Sequence, residues 1–282
     1  MTKNNNIQII INADDLGISL DVNRKIEECI KHGVVTSTSL LVNAPAFEDG
    51  VRIAKQYSNV SIGIHLNLIE FSPLTNDDIF KKLGIVGPDG NFIEGAVFVA
   101  DCNDKQLQQA VFEEWDAQIC RFKATGIIPS HIDSHEHTHT ILGLKDVLCK
   151  VMDKHGIKRV RRKVIPSIRL MLKRRKLPDT VILDKSNAVA PKKHCVLYRR
   201  LHLFILKYKS FRWNQQMSKR YSITDSFYAF RFFYSSRDII HLGRKVELMC
   251  HPGHMSYQAE TDSLLNDINW KKDIVLTNYN DI

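Results

Sequence analysis

Strand-like and helix-like hydrophobic patterns alternate along this chain of 282 residues. The segment Ile7–Ile11 is almost entirely isoleucine, which is typical of a strand buried on both faces. Asp21–His32 follows with apolar residues three and four positions apart, and predicts a helix that ends at Gly33. The alternation continues at spacings that favour a parallel sheet, either open or closed into a barrel.

The same patterns predict further strands and helices. The strands are expected at Val34–Val42, Val60–Leu68, Ile157–Val164 and Lys245–Cys250. The helices are expected at Ala46–Gln56, Asp104–Thr125, Gly143–His155 and Asp225–Tyr234. Between them, Phe71–Asp101 is rich in Gly and Pro and predicts a long loop, a candidate substrate lid. The tail from Asp262 onward is expected to cover the closing edge of the sheet.

Composition narrows the class of protein. The 44% of hydrophobic residues can build a substantial core, and no apolar run approaches the ~20 residues needed to cross a bilayer. The polar segment Met1–Asn6 is unlike a signal or transit peptide. Six cysteines without a C-x-x-C pair are typical of reduced thiols. We therefore expect a cytoplasmic protein. The sequence shows neither a repeat nor a linker, which predicts one domain over residues 1–282.

Charge is distributed unevenly along the chain. Between Lys158 and Arg220 lie 20 of the 40 Lys and Arg residues, but only 2 of the 31 Asp and Glu residues. That segment carries a formal charge of +18 and the rest of the chain −9. A basic insertion at about 165–224, with a K-R-R-K run at Lys173–Lys176, interrupts the rhythm of strands and helices.

Within the insertion, Leu197–Trp213 mixes apolar residues with Arg and Lys at helical spacing and predicts a basic amphipathic helix. Its apolar positions are Leu197, Leu201, Phe204, Ile205 and Tyr208. Two interpretations stay open for this apolar face. It packs on the parent domain, or it binds an anionic membrane surface and places the protein peripherally at the inner membrane face.

Ionisable side chains concentrate in Ser130–Thr140, which reads S-H-I-D-S-H-E-H-T-H-T. Five of them fall at every second position: His131, Asp133, His135, His137 and His139. In an extended chain all five point to one face. Neutral imidazole and ionised carboxylate are metal ligands, so the pattern favours a metal site over a histidine-rich surface loop.

Other predicted strand ends carry residues of the same types. Asp14 and Asp15 follow the first strand, His65 lies near the end of the third, and His251 follows a late strand. Each alone has a simpler explanation, since an Asp can cap a helix and a strand His can be a hydrogen-bonded core residue. Parallel strands, however, present their carboxyl ends at one rim, where α/β folds build their sites. We therefore expect these side chains to meet.

Four motifs carry a resemblance to a known family. They are N-A-D-D-L-G at Asn12–Gly17, G-I-H-L-N-L at Gly63–Leu68, H-I-D-S-H-E-H-T-H at His131–His139 and M-C-H-P-G at Met249–Gly253. In order and spacing they resemble the YdjC-like carbohydrate deacetylases, which include chitooligosaccharide deacetylase and the hopanoid-biosynthesis-associated deacetylases. The chain departs from that family's pattern in two places. Leu16 stands where the family usually has Phe, and the basic insertion is longer than in the chitooligosaccharide enzymes.

The resemblance implies an α/β fold, an irregular (β/α) TIM-like barrel with the basic helical insertion. It also implies a hydrolase that uses metal-activated water to remove the acetyl group from an N-acetylated sugar. The implied metal ligands are Asp15, His65 and His135, with Asp14 as general base and His251 as general acid. One divalent ion is expected, Mg²⁺ or Zn²⁺, and Mn²⁺ or Co²⁺ also suits such ligands. Arg161 is a candidate to orient Asp14, and His137 and His139 are candidates for contacts to substrate or to the ligands.

Alternatives stay open at this stage. A metal-dependent phosphoesterase on a barrel suits the basic segment, although a two-metal site needs more bridging carboxylates. A second alternative is a protein that binds nucleic acid or a membrane surface. Because Lys158–Arg220 contains no recognised nucleic-acid motif, nucleic acid is not the expected partner. A catalytically inactive relative is a third, although ligand-type residues are present in all four motifs. We expect an oligosaccharide or lipid-linked sugar as substrate, an anionic membrane surface as a further partner, and a homodimer as the candidate assembly.

Overall fold

The computed structural model describes residues 7–164 and 196–282, apart from positions 238, 239, 241, 268 and 273. For residues 196–203 it describes the helical backbone only. The basic run Lys173–Lys176 and the first half of the predicted insertion lie outside the described residues.

Seven strands form one parallel sheet in the described part of the chain. They are β1 (Ile7–Leu16), β2 (Ser37–Leu40), β3 (Ser61–Leu66), β4 (Ile132–Ser134), β5 (Ser226–Ala229), β6 (Lys245–Cys250) and β7 (Ile274–Thr277). Their order across the sheet is β4-β3-β2-β1-β6-β5. Strand β1 is central: β6 pairs along one side, while β7 and then β2 share the other.

Nine α-helices of the described residues connect and cover these strands. They are α1 (Leu20–Lys31), α2 (Phe47–Gln56), α3 (Asp78–Lys82), α4 (Ala96–Val99), α5 (Lys105–Ala124), α6 (Lys145–His155), α7 (Val196–Met217), α8 (Phe230–Ser236) and α9 (Gln258–Asn266). No helix among these is long and apolar enough to cross a bilayer. The alternation of parallel strands and helices confirms the predicted α/β class.

The sheet is curled into part of a barrel. Beyond β4, the described residues continue it through isolated bridges, from Ile132 to Val160 and from Arg159 to Ser222. The predicted strand Ile157–Val164 is thus reduced to a few bridging residues. A parallel, curled α/β sheet is therefore established, whereas the fully closed TIM-like barrel stays a prediction.

Three local predictions were incomplete. Asp225–Tyr234 was expected to be helical, but its first part forms β5, because its backbone pairs with β6 from Ser226 to Ala229. The tail contributes β7, which pairs with β1 and was not predicted as a strand. The loop Phe71–Asp101 contains the short helices α3 and α4. Short strands of this kind are defined by their partners, which a local pattern does not reveal.

The predicted basic helix exists as α7, but its orientation differs from the simple expectation. The side chains of Phe204, Ile205 and Tyr208 are exposed, although all three were assigned to one apolar face. The buried face consists of Leu206, Ser210, Trp213, Asn214 and Met217. Trp213 and Met217 fill the core, while Asn214 exchanges two 2.9 Å hydrogen bonds with the backbone of Lys163. The polar side chain of Asn214 can thus lie on the inner face because the backbone of Lys163 provides its hydrogen-bond partners.

Candidate metal centre and active site

The carboxyl ends of β1, β3, β4 and β6 bring the predicted residues together at one rim. Strands β3 and β4 are neighbours, and β6 lies beside β1, so their ends are adjacent in the curled sheet. In register, His65 of β3 stands opposite Asp133 of β4. The order of the strands, rather than any local feature, gathers these side chains.

Asp14 and Asp15 face different partners because the backbone of β1 turns between them. Asp15 has a φ of 68°, in the left-handed region that side-chain-bearing residues rarely adopt, and the pairing with β2 shifts between Ala13 and Leu16. Such a conformation costs on the order of 1–3 kcal/mol and is found where a function requires it. The two adjacent carboxylates therefore point to different partners, Asp14 to Arg161 and Asp15 to His135.

Asp15 is the centre of a histidine cluster. Its Oδ1 lies 2.7 Å from His135 Nδ1 and 3.2 Å from His65 Nε2, and its Oδ2 lies 3.1 Å from His254 Nε2. Asp15 and His65 are buried, and His135 is largely so. Burial raises the pKa of Asp15, but the charge of His135 and hydrogen bonds from the histidines outweigh it, so the pKa lies well below its usual value. The predicted ligands Asp15, His65 and His135 therefore meet in one small volume, within 4.8 Å of one another.

The second nitrogen of His65 tests whether this cluster suits a metal ion. His65 Nδ1 lies 2.7 Å from Asp133 Oδ1, so the Nδ1–H donates to that carboxylate. In neutral imidazole this leaves Nε2 as a bare lone pair, aimed at Asp15 Oδ1. Two acceptors facing each other need a cation between them, either a proton or a metal ion. Ligating histidines typically donate their other N–H to a carboxylate in this way, so the donor set fits a divalent ion.

Beneath the histidine cluster, Arg161 holds three carboxylates. Its Nη1 and Nη2 each lie 2.6 Å from an oxygen of Asp14, Nη2 lies 2.8 Å from Asp133 Oδ2, and Nε lies 2.8 Å from Glu247 Oε1. All of these groups are buried. Burial lowers the pKa of Arg161, but the three carboxylates outweigh it and raise the pKa well above its usual value. The guanidinium thus fixes both oxygens of Asp14, as expected for a residue that orients it.

The hydrogen bonds of this cluster extend into the sheet. Asn12 Nδ2 donates to Asp14 Oδ1 over 2.8 Å, and the Ser39 hydroxyl donates to Asp133 Oδ2 over 2.8 Å. The Tyr279 hydroxyl is bonded to the second oxygen of Glu247. Asp133 therefore connects the two clusters, since it bonds both His65 and Arg161.

The histidine-rich segment follows the expected alternation only as far as His135. Strand β4 ends at Ser134, and a 3₁₀ segment, His135–Thr140, begins there with left-handed φ values at Glu136 and His137. The prediction that all five side chains share one face was therefore wrong for its last two members. His137 packs edge-on against Phe227, whereas His139 bonds Ser134 Oγ and packs edge-on against Trp213.

His131 lies below the site and supports it sterically. Its ring stacks on Tyr279 with a centroid distance of 3.7 Å, and Nδ1 lies 2.9 Å from Ser130 Oγ. The ring also occupies the space that a Cβ atom at Gly63 would need. Burial lowers the pKa of His131 to about 3, so this histidine is neutral and packs like an aromatic residue.

His251 and His254 stand on the turn after β6. The His251 ring stacks on Tyr257 at 4.5 Å, and its backbone N–H donates to Glu260 over 2.9 Å. His251 Nδ1 is buried without a hydrogen-bond partner among the described residues. Sequence reasoning selected His251 and missed His254, which the turn places 3.1 Å from Asp15 Oδ2. The spacing H-P-G-H was the available signal, because a tight turn can direct two histidines to one point.

Two other groups of ligand-type residues occur in the described part of the chain. Asp14, His65 and Asp133 form one, but Arg161 already supplies the positive charge there. Asp116, Cys120 and His155 form another on α5 and α6, where Lys154 pairs with Asp116 at 2.7 Å. The histidine cluster around Asp15 has no such lysine or arginine partner among the described residues.

Known proteins resemble this chain in sequence. A carbohydrate deacetylase of Clostridium beijerinckii is 37% identical over 155 residues, which cover 54% of this chain and 58% of that protein. One of Halalkalibacterium halodurans is 32% identical over 151 residues, 54% of this chain and 62% of that protein. These alignments thus span about three fifths of the relatives. A carbohydrate deacetylase of Xenopus laevis aligns over 90% of this chain and 83% of its own length, at 27% identity.

The fold resembles a solved structure. A proposed cellobiose-phosphate cleavage protein from Enterococcus faecalis V583 superposes with a TM-score of 0.70 and covers 98% of both chains, at 22% sequence identity. At that identity the likeness concerns the fold. The family model described as YdjC-like protein matches residues 8–277, which include all four motifs and every residue of the two clusters except Tyr279. The chain therefore belongs to the YdjC-like protein family.

Proposed function

We propose that this protein is a metal-dependent carbohydrate deacetylase, which hydrolyses the acetamido group of an N-acetylated sugar to acetate and an amine. The observation that carries the proposal is the convergence of His65 and His135 on one oxygen of Asp15, with His65 Nδ1 held by Asp133. Relatives named carbohydrate deacetylase support the reaction and the substrate class. The whole of residues 1–282, including the basic insertion, is proposed as a single domain.

Asp15, His65 and His135 are the proposed ligands of one divalent ion. Two nitrogens and one oxygen suit Zn²⁺ and are compatible with Mg²⁺ or other divalent ions. When bound, such an ion supplies Lewis acidity, which activates water near neutral pH and polarises the acetyl carbonyl. Asp133 keeps Nε2 of His65 directed at the site, because its hydrogen bond fixes Nδ1.

Asp14 is the proposed general base. Burial raises its pKa, but the charge and hydrogen bonds of Arg161 outweigh burial and lower it below the usual value. Asp14 is therefore ionised at neutral pH and can accept a proton from the attacking water, while Arg161 and Asn12 hold its position. A tightly held carboxylate is a weak base but a well-oriented one.

His251 is the proposed general acid for the leaving amine. An amine leaves only with a proton, and imidazole delivers one well near pH 7. The ring of His251 stacks on Tyr257, and its backbone N–H donates to Glu260. These two contacts fix the position of His251. His254 is a second imidazole at the same rim, and its position beside Asp15 suits a role in holding the ion or the acetyl group.

The phosphoesterase alternative gains no support from the geometry. A two-metal site needs a second group of free carboxylates, and Asp14 and Asp133 are already engaged by Arg161. Arg161 itself is fully buried, so it cannot bind a phosphate. The basic charge of the chain lies in the insertion rather than in this cluster.

The test is acetate release by the purified protein after removal and return of metal. N-acetylglucosamine oligomers, nucleotide sugars and lipid-linked sugars are offered, and acetate and the free amine are measured by mass spectrometry. We expect release with one or more of Zn²⁺, Mg²⁺, Mn²⁺ and Co²⁺, and none after chelation. Acetate release that survives chelation would refute the metal, and phosphate release from a sugar phosphate without acetate release from any sugar would refute the deacetylase.

A further inference from the structure

The outward face of α7 carries an unusual concentration of exposed aromatic side chains. Phe204, Tyr208 and Phe211 are 61%, 54% and 53% exposed, and Ile205 is 41% exposed. The three aromatic residues are four and three positions apart, so they lie in one stripe along the helix. Single exposed apolar residues are ordinary, but a contiguous aromatic stripe marks a binding surface.

Basic side chains border this stripe. Lys207 lies on one side of it, Lys209 and Arg212 lie on the other, and all three are exposed. From Val196 to Arg220 the chain has seven Lys and Arg residues and no Asp or Glu. A solvated helix normally mixes charges of both signs, so the uniformly basic border of this face favours a negatively charged partner.

The opposite face of α7 holds the helix firmly, so the stripe cannot turn inward. Trp213 is buried and packs edge-on against His139, at a centroid distance of 6.1 Å. Asn214 makes two hydrogen bonds to the backbone of Lys163, and Met217 Sδ lies 3.8 Å from Cys149 Sγ. The helix therefore presents its aromatic and basic side chains outward on a fixed base.

We infer that the outward face of α7 docks on an anionic lipid bilayer. The helix lies parallel to the membrane, with Phe204, Phe211 and Ile205 at the boundary between headgroups and acyl chains. Lys207, Lys209 and Arg212 stand beside them at the level of the lipid phosphates, where each basic residue adds to the attraction. Phe and Ile carry no polar group, so they suit an apolar phase better than a hydrated partner.

Two other occupants fit the face less well. A second copy of this chain in a symmetric dimer would place basic residues against basic residues, because such an interface joins the same patch from both subunits. Nucleic acid would use the charges, and it would stack bases on the aromatic rings. It would leave Ile205, which has no ring to stack, without a role.

The test is sedimentation of the purified full chain with lipid vesicles. Vesicles of phosphatidylcholine are compared with vesicles that contain phosphatidylglycerol, at low and at raised ionic strength. We expect binding to the anionic vesicles only, with release as salt rises. Reversing the charges in Lys207→Glu/Lys209→Glu/Arg212→Glu should weaken vesicle binding at least tenfold. Removing the aromatic rings in Phe204→Ser/Tyr208→Ser/Phe211→Ser should weaken it by a similar factor.

Matched controls use exposed residues elsewhere on the surface. Lys55→Glu/Lys105→Glu/Lys150→Glu changes the net charge by the same amount, and Val99→Ser/Ile128→Ser/Leu142→Ser replaces the same number of exposed apolar side chains. Both should bind vesicles within about twofold of the unmodified chain. Circular dichroism and thermal unfolding show that each variant is folded.

Several results would overturn the inference. Equal binding by the α7 variants and their controls would place the binding surface elsewhere. Binding that needs the charges but not the aromatic residues would indicate a general polyanion surface, such as one for nucleic acid. A concentration-dependent dimer that the serine variant abolishes, with no vesicle binding, would assign the face to a second copy. None of these outcomes depends on the proposed deacetylase reaction.

Discussion

Two clusters of buried charge lie next to each other in this protein, and they are balanced in different ways. Around Arg161, a permanent cation faces Asp14, Asp133 and Glu247. Around Asp15, one carboxylate faces His65, His135 and His254, which are neutral or charged depending on protons or metal. The arginine cluster is complete without a ligand. The histidine cluster needs a proton or a metal ion between its facing acceptors, which is why we propose it as the binding site and the arginine cluster as a structural support.

The largest effect is expected from Arg161→Ala. This change leaves buried carboxylates without their cation, and breaking a buried ion pair typically costs about 3–5 kcal/mol of unfolding free energy. Urea unfolding followed by circular dichroism measures it. Arg162→Ala is the control, because among the described residues that side chain donates a hydrogen bond to Thr224 O, whose loss should cost about 1 kcal/mol. Equal losses in the two variants would show that the arginine cluster is no special support.

His65→Ala and His135→Ala should abolish metal binding and acetate release while the chain stays folded. Each removes one of the three proposed ligands at the rim and leaves the apolar core of the sheet in place. Metal content by mass spectrometry and thermal unfolding provide the two measurements. His155→Ala serves as control, because it alters the ligand-type group on α5 and α6 instead. Stoichiometric metal in the double variant His65→Ala/His135→Ala would exclude these ligands.

Asp14→Asn should separate the two clusters functionally. The amide keeps the size of the carboxylate but cannot accept the proton, so turnover should fall by about 10²–10⁴-fold, the range for a general base. Metal should remain bound, because Asp14 is not a proposed ligand. His251→Ala should likewise retain metal and lower kcat more than KM. Near-normal turnover in both variants would exclude this assignment of proton transfer and leave the metal site intact.

The smallest effect is expected from Glu247→Gln, and it depends on pH. Burial raises the pKa of Glu247 to about 7, against the opposing charge of Arg161, from a usual 4.5. The folded state therefore binds this proton more tightly than the unfolded state does. Its contribution to stability is full below pH 4.5 and is lost as pH rises through about 7.

The Gln variant lacks that titration, so it should lose less stability than the unmodified chain between pH 5 and pH 8. Urea unfolding at the two pH values, with both proteins side by side, isolates the difference. A larger loss in the variant would mean that Arg161 keeps Glu247 ionised throughout. Arg161 would then balance three carboxylates equally rather than chiefly Asp14 and Asp133.

The sequence was informative about the rim because ionisable residues stand there at the ends of apolar strands. Polar residues that end apolar runs, such as Asp14, Asp15 and His65, stand out against a buried strand. The parallel arrangement then requires such ends to meet, so the candidate ligands could be chosen before the structure. Glu247 could have been recognised in the same way, because it is a charged residue inside an apolar strand. Asp133 was already part of the candidate segment Ser130–Thr140.

Other features depend on partners that are distant in the chain, and no local pattern contains them. The bonds of Arg161 to three carboxylates need the strand order, because Asp14 is 147 positions away. Strand β5 exists through its pairing with β6, and the left-handed φ of Asp15 occurs beside histidines that are distant in the chain. The orientation of α7 depends on contacts of Asn214 with Lys163 and of Trp213 with His139, which lie in distant parts of the chain.

The His131 ring, which fills the place of a side chain at Gly63, joins two of the four motifs by steric exclusion. Adding a methyl group at position 63 would displace that ring from Tyr279 and disturb the floor of the site without touching a reacting group. The defect should be relieved by a second substitution that shortens residue 131, so Gly63→Ala and His131→Ala should be less harmful together than their separate effects imply. A residue in a family motif can thus be required because its volume fits a residue at a distant position. Such a residue need not contact the substrate.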